Sequence, residues 1–136
     1  MKLTRDELVC DCAGARVMIV EDMAMVAAEI RVALERAGCE VVGPYWSRDD
    51  ALAALEADPH PRLDAAFLDI NLAGEECYDI ARVLEERHIP FAFLTGYMRE
   101  FLPKQYGSFP MLEKPFTRAD LNAILRQLLQ NAHHSN

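Results

Sequence analysis

The amino-acid sequence predicts a single α/β domain, built as a parallel sheet with helices on both faces. Five short apolar runs alternate with stretches of helical periodicity, which is the pattern of consecutive βαβ units. A chain of 136 residues has the usual length of one domain. In such sheets ligands bind beyond the carboxyl ends of the strands, so the residues that follow each strand are the candidates for chemistry.

Three strands and two helices are predicted in the first half of the chain. Gly38 follows the first helix at the position where glycine commonly ends a helix. Ser47 is a suitable N-cap for the second helix. The predicted strands are Val17–Val20, Glu40–Tyr45 and Ala65–Leu68, and the predicted helices are Met23–Ala37 and Asp49–Ala57.

The second half of the chain continues the alternation. Thr117 opens the last helix, with Asp120 three residues on, as in a capping box. The predicted helices are Glu75–Arg87, a short one at Met98–Gln105 and one that begins at Thr117, and the predicted strands are Phe91–Leu94 and Ser108–Leu112. Residues 1–15 are predicted to be a short N-terminal extension, residues 16–130 the domain, and residues 131–136 a frayed tail.

Composition excludes several classes of function. A net charge of −8 opposes non-specific nucleic-acid binding, which depends on neutralising phosphates with Lys and Arg. No apolar run approaches the ~20 residues that cross a bilayer, and the mixed-charge N-terminus lacks a signal peptide's apolar segment. We therefore expect no membrane association and a cytoplasmic location. Cys10 and Cys12 could hold a soft metal ion if further ligands converged, whereas reduced thiols are typical of a cytosolic protein.

Polar residues follow four of the five predicted strands. Glu21 and Asp22 follow the first, Asp69 the third, Thr95-Gly96 the fourth and Lys114 the fifth. Three carboxylates that share one crevice repel one another unless a cation joins them. A hard divalent ion suits oxygen ligands, which predicts Mg²⁺ as the cofactor.

A metal ion beside an exposed carboxylate suits phosphoryl transfer, because positioned cations stabilise the spread negative charge of the transition state. Asp69 can act as the nucleophile and form an aspartyl-phosphate. Lys114 would pair with a phosphoryl oxygen, Thr95 would donate a hydrogen bond, and Gly96 would leave room for the incoming group. Each residue alone is an ordinary loop residue, but their combination on these strand ends predicts phosphorylation of Asp69.

These motifs resemble the receiver domain of bacterial response regulators, which act in two-component signalling. The resemblance covers roughly residues 15–130 and implies a flavodoxin-like three-layer α/β/α fold with a five-stranded parallel sheet of order 2-1-3-4-5. It implies Mg²⁺ bound by Asp22, Asp69 and the backbone carbonyl of Asn71, with Glu21 acting through water. It also implies a cis peptide bond before Pro115. The motifs are Val17–Asp22, Phe67–Asp69, Leu94–Gly96 and Glu113–Phe116.

Three positions depart from the common receiver pattern. Ala73 stands where a proline is usual, four residues after Asp69, and Met111 stands where the aromatic switch residue is usual. Tyr97 instead places an aromatic ring near the site, in a Thr-Gly-Tyr turn that resembles a subgroup of mostly alphaproteobacterial single-domain receivers. We predict that Tyr97 replaces the missing switch. The alternative is that Tyr97 only packs over the loop.

The predicted function is that of a stand-alone receiver, not an enzyme. Asp69 would accept its phosphoryl group from a histidine kinase or a histidine phosphotransfer protein. The output would be contact with a downstream protein partner, or removal of phosphate from a shared kinase. Two alternatives are a Mg²⁺-dependent hydrolase, which would want an acid where Asn71 stands, and a binding module that has lost phosphorylation. The sequence leaves open whether the chain forms a homodimer.

Overall fold

A computed structural model describes residues 12–58, 62–72, 75–96 and 104–134 of the chain. Within these ranges, five strands form the main sheet, two more form a short hairpin, and four α-helices surround the sheet. The main-sheet strands are β1 (Arg16–Val20), β2 (Glu40–Tyr45), β3 (Ala65–Asp69), β6 (Phe91–Thr95) and β7 (Met111–Glu113), and the hairpin strands are β4 (Asn71–Leu72) and β5 (Glu75–Glu76). The helices are α1 (Ala24–Arg36), α2 (Arg48–Ala57), α3 (Tyr78–Glu86) and α4 (Arg118–His134).

The main sheet is parallel throughout and has the order β2-β1-β3-β6-β7. Counted along the chain, this is the predicted order 2-1-3-4-5, so the fold prediction is confirmed. β3 and β6 lie inside the sheet and are buried at every position. Such strands have continuous apolar sequences because both of their faces contact helices.

Two apolar cores lie on the two faces of the sheet. Residues of α1 and α4, among them Ile30 and Leu125, pack with Phe67 on one face. Residues of α2 and α3, among them Leu55 and Leu84, pack on the other face. Successive side chains of a strand point to opposite faces, so each interior strand contributes to both cores.

The pairing between β1 and β2 is irregular, and this irregularity determines which residue of β2 lies beside the end of β1. Gly43 has φ +98°, and a Cβ atom there would lie 2.9 Å from the Ile19 carbonyl oxygen, so only glycine fits. The register shifts between Met18 and Val20, and Val20 pairs with Tyr45. The Gly43–Pro44 bond is cis. The pairing of Val20 with Tyr45 places Tyr45 beside the end of β1. The Tyr45 carbonyl accepts a hydrogen bond from the N–H of Glu21, the residue that follows β1.

Two helix starts follow the predicted caps. The Ser47 hydroxyl accepts a hydrogen bond from the backbone N–H of Asp50 at 3.1 Å. Thr117 and Asp120 form a reciprocal capping box at α4, because each side chain accepts a hydrogen bond from the backbone N–H of the other, at 3.0 and 3.1 Å. The sequence therefore specifies these boundaries locally.

The predicted helix at Glu75–Arg87 is wrong at its start. Glu75 and Glu76 pair with Leu72 and Asn71 in an antiparallel hairpin, and α3 begins at Tyr78. Glutamate favours helices, but this tendency is weak, and tertiary contacts outweigh it here. Leu72 is completely buried, which holds the hairpin against the core.

The predicted strand at Ser108–Leu112 and the predicted tail also differ from the structure. β7 begins at Met111, since the preceding segment turns with a hydrogen bond from Phe109 N–H to the Tyr106 carbonyl, and Pro110 has no N–H for a ladder. Within the short helix predicted at Met98–Gln105, only residues 104 and 105 are described, and they belong to a 3₁₀ turn at Lys104–Tyr106. α4 continues to His134 because no proline or glycine interrupts it.

Cys12, Cys39 and Cys77 are buried, reduced thiols, whereas Cys10 lies outside the described residues. In the part of the chain that the structure describes, no helix is long and apolar enough to cross a bilayer.

Candidate functional site

The acidic residues predicted at the strand ends lie together. Glu21 and Asp22 directly follow β1, and Asp69 is the last residue of β3, the neighbouring strand. One carboxylate oxygen from each of the three lies within 4.8 Å of the others. Glu21 is completely buried and Asp69 is 6% exposed, whereas Asp22 is partly exposed. The cluster thus has a buried inner side and an open outer side.

The side chain and the backbone of Glu21 are both held in place. Its N–H donates to the carbonyl of Tyr45 at 3.0 Å, which ties the end of β1 to β2. Its Oε2 accepts a hydrogen bond at 3.0 Å from the N–H of Met23, the residue that caps α1. A carboxylate at the start of a helix is stabilised by the N-terminal end of the helix dipole. Glu21 is therefore held in a fixed position on the buried side of the cluster.

Lys114 contacts two of the three acids. Its Nζ lies 2.7 Å from Glu21 Oε1, as an ion pair, and donates a hydrogen bond to Asp69 Oδ2 at 3.1 Å. The Lys114 N–H donates to the Thr95 carbonyl at 2.7 Å, which continues the β6–β7 pairing by one residue. The Lys114–Pro115 bond is cis. The lysine thus reaches the cluster from a backbone fixed at the edge of the sheet.

The close packing of these charges changes their proton affinities. Burial raises the pKa of Glu21, and the adjacent Asp69 raises it further against the opposing attraction of Lys114. Burial lowers the pKa of Lys114, but its contacts with Glu21 and Asp69 outweigh burial, and the net pKa is raised. Lys114 is therefore a firmly protonated cation beside Asp69 at neutral pH.

Thr95 and Gly96 lie at the end of β6, beside β3. Thr95 is 4% exposed and pairs in register with Glu113, next to Lys114. Gly96 is exposed, and a Cβ atom built on it would have no described atom within 4 Å. With respect to the described residues this side of Gly96 is open, and the role predicted for Gly96 stays a prediction.

Of the other predicted site residues, some lie in the described part of the chain and some do not. Asn71, two residues after Asp69, is the first residue of β4. Met111 opens β7 and is partly buried against the core that contains Phe93, so its side chain packs with apolar neighbours. Tyr97 and Ala73 lie outside the described residues. The predicted switch role of Tyr97 thus stays a prediction.

The donor set at these strand ends fits a hard divalent cation. Oxygen ligands at about 2.1 Å from an octahedral Mg²⁺ lie about 3–4 Å apart, which is compatible with three oxygens within 4.8 Å. Three carboxylates and one ammonium carry a formal charge of −2, the charge that one such ion balances. In the described part of the chain, no other group of three His, Cys, Asp or Glu side chains has this geometry.

Two backbone groups of the site were missed by the sequence analysis. The Met23 N–H and the Tyr45 carbonyl orient Glu21, as described above. The position of Met23, directly after two acids and before a helical pattern, is a usable signal for the first group. The position of the Tyr45 carbonyl depends on the irregular register at Gly43, and the pattern of apolar and polar side chains in the sequence does not reveal this register.

Comparison with known proteins gives one consistent family. A family model described as the response regulator receiver domain matches residues 17–126. The phyllosphere-induced regulator PhyR of Methylorubrum extorquens is 30% identical over 129 residues, which is 90% of this chain and 46% of that protein. The transcriptional regulatory protein YpdB of Escherichia coli is 29% identical over 117 residues, 83% of this chain and 47% of that protein. The chain thus spans about half the length of these two relatives.

Solved structures agree with the sequence comparisons. The response regulator PhyR from Brucella abortus superposes with a TM-score of 0.76 at 28% identity, over 96% of this chain and 54% of that one. SdrG from Sphingomonas melonis has a TM-score of 0.75 at 34% identity, over 85% of this chain and 97% of that one. The range matched by the family model, residues 17–126, includes the strand ends that carry the acidic cluster.

Proposed function

Because this chain belongs to the response regulator receiver domain family, we propose that Asp69 accepts a phosphoryl group from a phosphohistidine. The donor would be a histidine kinase or a histidine phosphotransfer protein. One observation carries the proposal: the Nζ atom of Lys114 contacts Asp69 at 3.1 Å within a cluster of three carboxylates. An ammonium and a cluster of acids that could bind a divalent cation, both next to one carboxylate, provide what phosphoryl transfer requires.

The proposed reaction is an in-line displacement at phosphorus. An oxygen of the Asp69 carboxylate forms a bond to phosphorus while the bond between phosphorus and the donor's imidazole nitrogen breaks. The imidazole nitrogen leaves with the electron pair of that bond, the ring takes up a proton from solvent and becomes neutral imidazole, and the product is an acyl phosphate on Asp69. Hydrolysis reverses the modification, since water then attacks phosphorus and the carboxylate is regenerated with release of phosphate.

The surrounding residues have distinct proposed roles. Asp22, Asp69 and the Asn71 carbonyl would bind Mg²⁺, and Glu21 would bind it through water. When bound, the ion would neutralise charge on the transferring phosphoryl oxygens. The Lys114 ammonium, a compact cation, would form an ion pair with one phosphoryl oxygen. The Thr95 hydroxyl would donate a hydrogen bond to another oxygen, in the open space beside Gly96.

Release of Lys114 from Asp69 is a direct consequence of this proposal. Once Asp69 is an acyl phosphate, its carboxylate charge is gone and the nearby negative charge lies on the phosphoryl oxygens. Lys114 and Thr95 then have new partners, and the segment that follows Thr95 moves with them. Tyr97 lies two residues on, which is why we propose it as the switch residue. A population shift of this kind needs partners that bind the two states differently.

The alternative functions have less support. A Mg²⁺-dependent hydrolase would use Asp69 in the same way but would want a second acid two residues later, where Asn71 stands. A binding module without phosphorylation would not need Lys114 and three acids brought to one point. The described geometry therefore favours a phosphorylated signalling domain over both.

We propose that the domain acts as a stand-alone regulator in the cytoplasm. The match to SdrG covers 97% of that chain, which supports a single-domain form. Its output would be either contact with a downstream protein or drainage of phosphate from a shared kinase. The affinity of a candidate partner for the phosphorylated and for the unphosphorylated protein separates these two outputs. A difference between the two affinities supports partner contact, and equal affinities favour phosphate drainage.

The test is phosphorylation in solution. Incubation with a small acyl-phosphate donor and Mg²⁺ is expected to add the mass of one phosphoryl group to the intact protein. Asp69→Asn is expected to abolish this gain. Asp49→Asn, which changes a largely exposed aspartate on α2, is the matched control and is expected to retain it. Failure of the wild-type protein to gain this mass, with both the small donor and a kinase, would favour the binding-module alternative.

A further inference from the structure

A short antiparallel hairpin lies between Asp69 and α3. The strands β4 and β5 pair only two residues each, Asn71 with Glu76 and Leu72 with Glu75. The hairpin is close to the site because Asp69 lies just before it in sequence and Asn71 is its first residue. The residue four after Asp69 is Ala73 and not the proline usual in this family, so proline cannot restrict this loop.

The hydrogen-bond register of the hairpin determines what the Asn71 backbone can do. The N–H of Cys77 donates to the Ile70 carbonyl at 3.2 Å, so residues 70 and 77 form a hydrogen-bonded position. Antiparallel ladders alternate bonded and non-bonded pairs. The next pair, Asn71 with Glu76, is therefore non-bonded, and Leu72 with Glu75 is bonded. The Asn71 carbonyl consequently lies on the outer edge of the ladder, directed away from the backbone of Glu76.

Contacts with the core and the main sheet hold this register. Leu72 is completely buried and packs in the core that contains Leu68 and Phe93. Cys77, at the other end of the hairpin, is also completely buried. The N–H of Ile70 donates to the Leu94 carbonyl at 3.2 Å, which ties the start of the loop to β6. A slip by one residue would place Asn71 in a bonded pair and expose Leu72.

We propose that Leu72 is a positioning residue for metal binding, because its burial fixes the hairpin register that leaves the Asn71 carbonyl available to Mg²⁺. The inference rests on the proposed function and extends it from the ligands to the segment that orients one of them. The buried leucine and the hairpin would thus restrict this segment in place of the proline that is usual at the position of Ala73. Leu72 touches neither the metal nor the phosphoryl group, and it acts only through the backbone of Asn71.

The test compares Mg²⁺ affinity with stability in matched variants, by isothermal titration with MgCl₂ and by urea unfolding. Leu72→Ala is expected to weaken Mg²⁺ binding about tenfold, the size of effect seen when groups that orient metal ligands are lost. Leu72→Met keeps the apolar volume and is expected to restore affinity close to that of the wild type. Leu84→Ala removes an equally buried leucine of the same core, on α3, and is expected to lower stability while leaving Mg²⁺ affinity unchanged.

Three outcomes would overturn the inference. Equal Mg²⁺ affinity in the wild type and Leu72→Ala would show that the hairpin does not position the ligand. Equal weakening in Leu72→Ala and Leu84→Ala would show a general effect of core loss. Absence of Mg²⁺ binding by the wild type would contradict the proposed function itself, and this result is distinguishable because it appears before any substitution is made.

Discussion

Removal of the Lys114 ammonium is the perturbation whose effect can best be worked out from the structure. In Lys114→Met, the buried carboxylate of Glu21 loses an ion pair at 2.7 Å and Asp69 loses a hydrogen bond at 3.1 Å. Breaking a fully buried pair costs about 3–5 kcal/mol. The Lys114 side chain is 20% exposed, so water recovers part of this, and we expect the free energy of unfolding to fall by about 2–3 kcal/mol without metal.

The loss should depend on pH in a definite direction. The pKa of Glu21 is already raised by burial and by Asp69, so its contribution to stability is present at low pH and is lost as pH rises through its pKa in the folded state. Without Lys114 this pKa rises further. The destabilisation is therefore largest at neutral pH and shrinks as the solution becomes mildly acidic and Glu21 takes up a proton.

The assay is urea unfolding followed by circular dichroism, in chelator, at neutral and mildly acidic pH. Lys104→Met, which changes an exposed lysine of the 3₁₀ turn, is the control and should alter the free energy of unfolding by less than about 0.5 kcal/mol. Glu21→Gln combined with Lys114→Met should recover part of the loss, since residues in contact are not additive. A loss for Lys114→Met no larger than that of the control, or one that grows as pH falls, would refute the electrostatic reasoning.

Two further predictions concern residues outside the site. The Arg87 guanidinium donates to the carbonyls of Leu55 and Asp58 at 2.9 and 3.2 Å and so caps the end of α2, and Arg87→Ala should lower the free energy of unfolding in urea by about 1–2 kcal/mol; an unchanged midpoint would contradict this cap. Burial raises the pKa of the Cys39 thiol to about 12, with the charges of Cys12 and Asp64 adding to the effect. Iodoacetamide at mildly alkaline pH should therefore modify Cys39 only after unfolding, and mass mapping that found it alkylated in the native protein would contradict its burial.

Much of the fold is predictable because its signals are local. The range Glu40–Tyr45 agrees with the structure, and so do the caps at Ser47 and Thr117, because each depends on residues adjacent in sequence. The hairpin that contains Glu75 and Glu76 could not be predicted, since its cause is the burial of Leu72 against distant strands. Tertiary contacts outweighed the helical tendency of glutamate at these two positions.

The site shows the same division. That Glu21, Asp22 and Asp69 would meet follows from the rule that parallel strands bring their carboxyl ends to one edge. That Lys114 would contact both Glu21 and Asp69 does not follow from any spacing in the sequence. It depends on the pairing of Thr95 with Glu113 and on the backbone hydrogen bond from Lys114 to Thr95. Long-range register, and not residue type, determines which charges touch.

The most direct test of the central claim is to locate the phosphoryl group on the chain. Borohydride reduces an acyl phosphate to an alcohol and converts the modified aspartate to homoserine. After incubation with a histidine kinase or small phosphodonor and Mg²⁺, followed by reduction and peptide sequencing, we expect homoserine at Asp69 and aspartate retained at Asp22. Homoserine at another position, or at none in protein that has gained the mass of a phosphoryl group, would contradict the assignment of Asp69 as the acceptor.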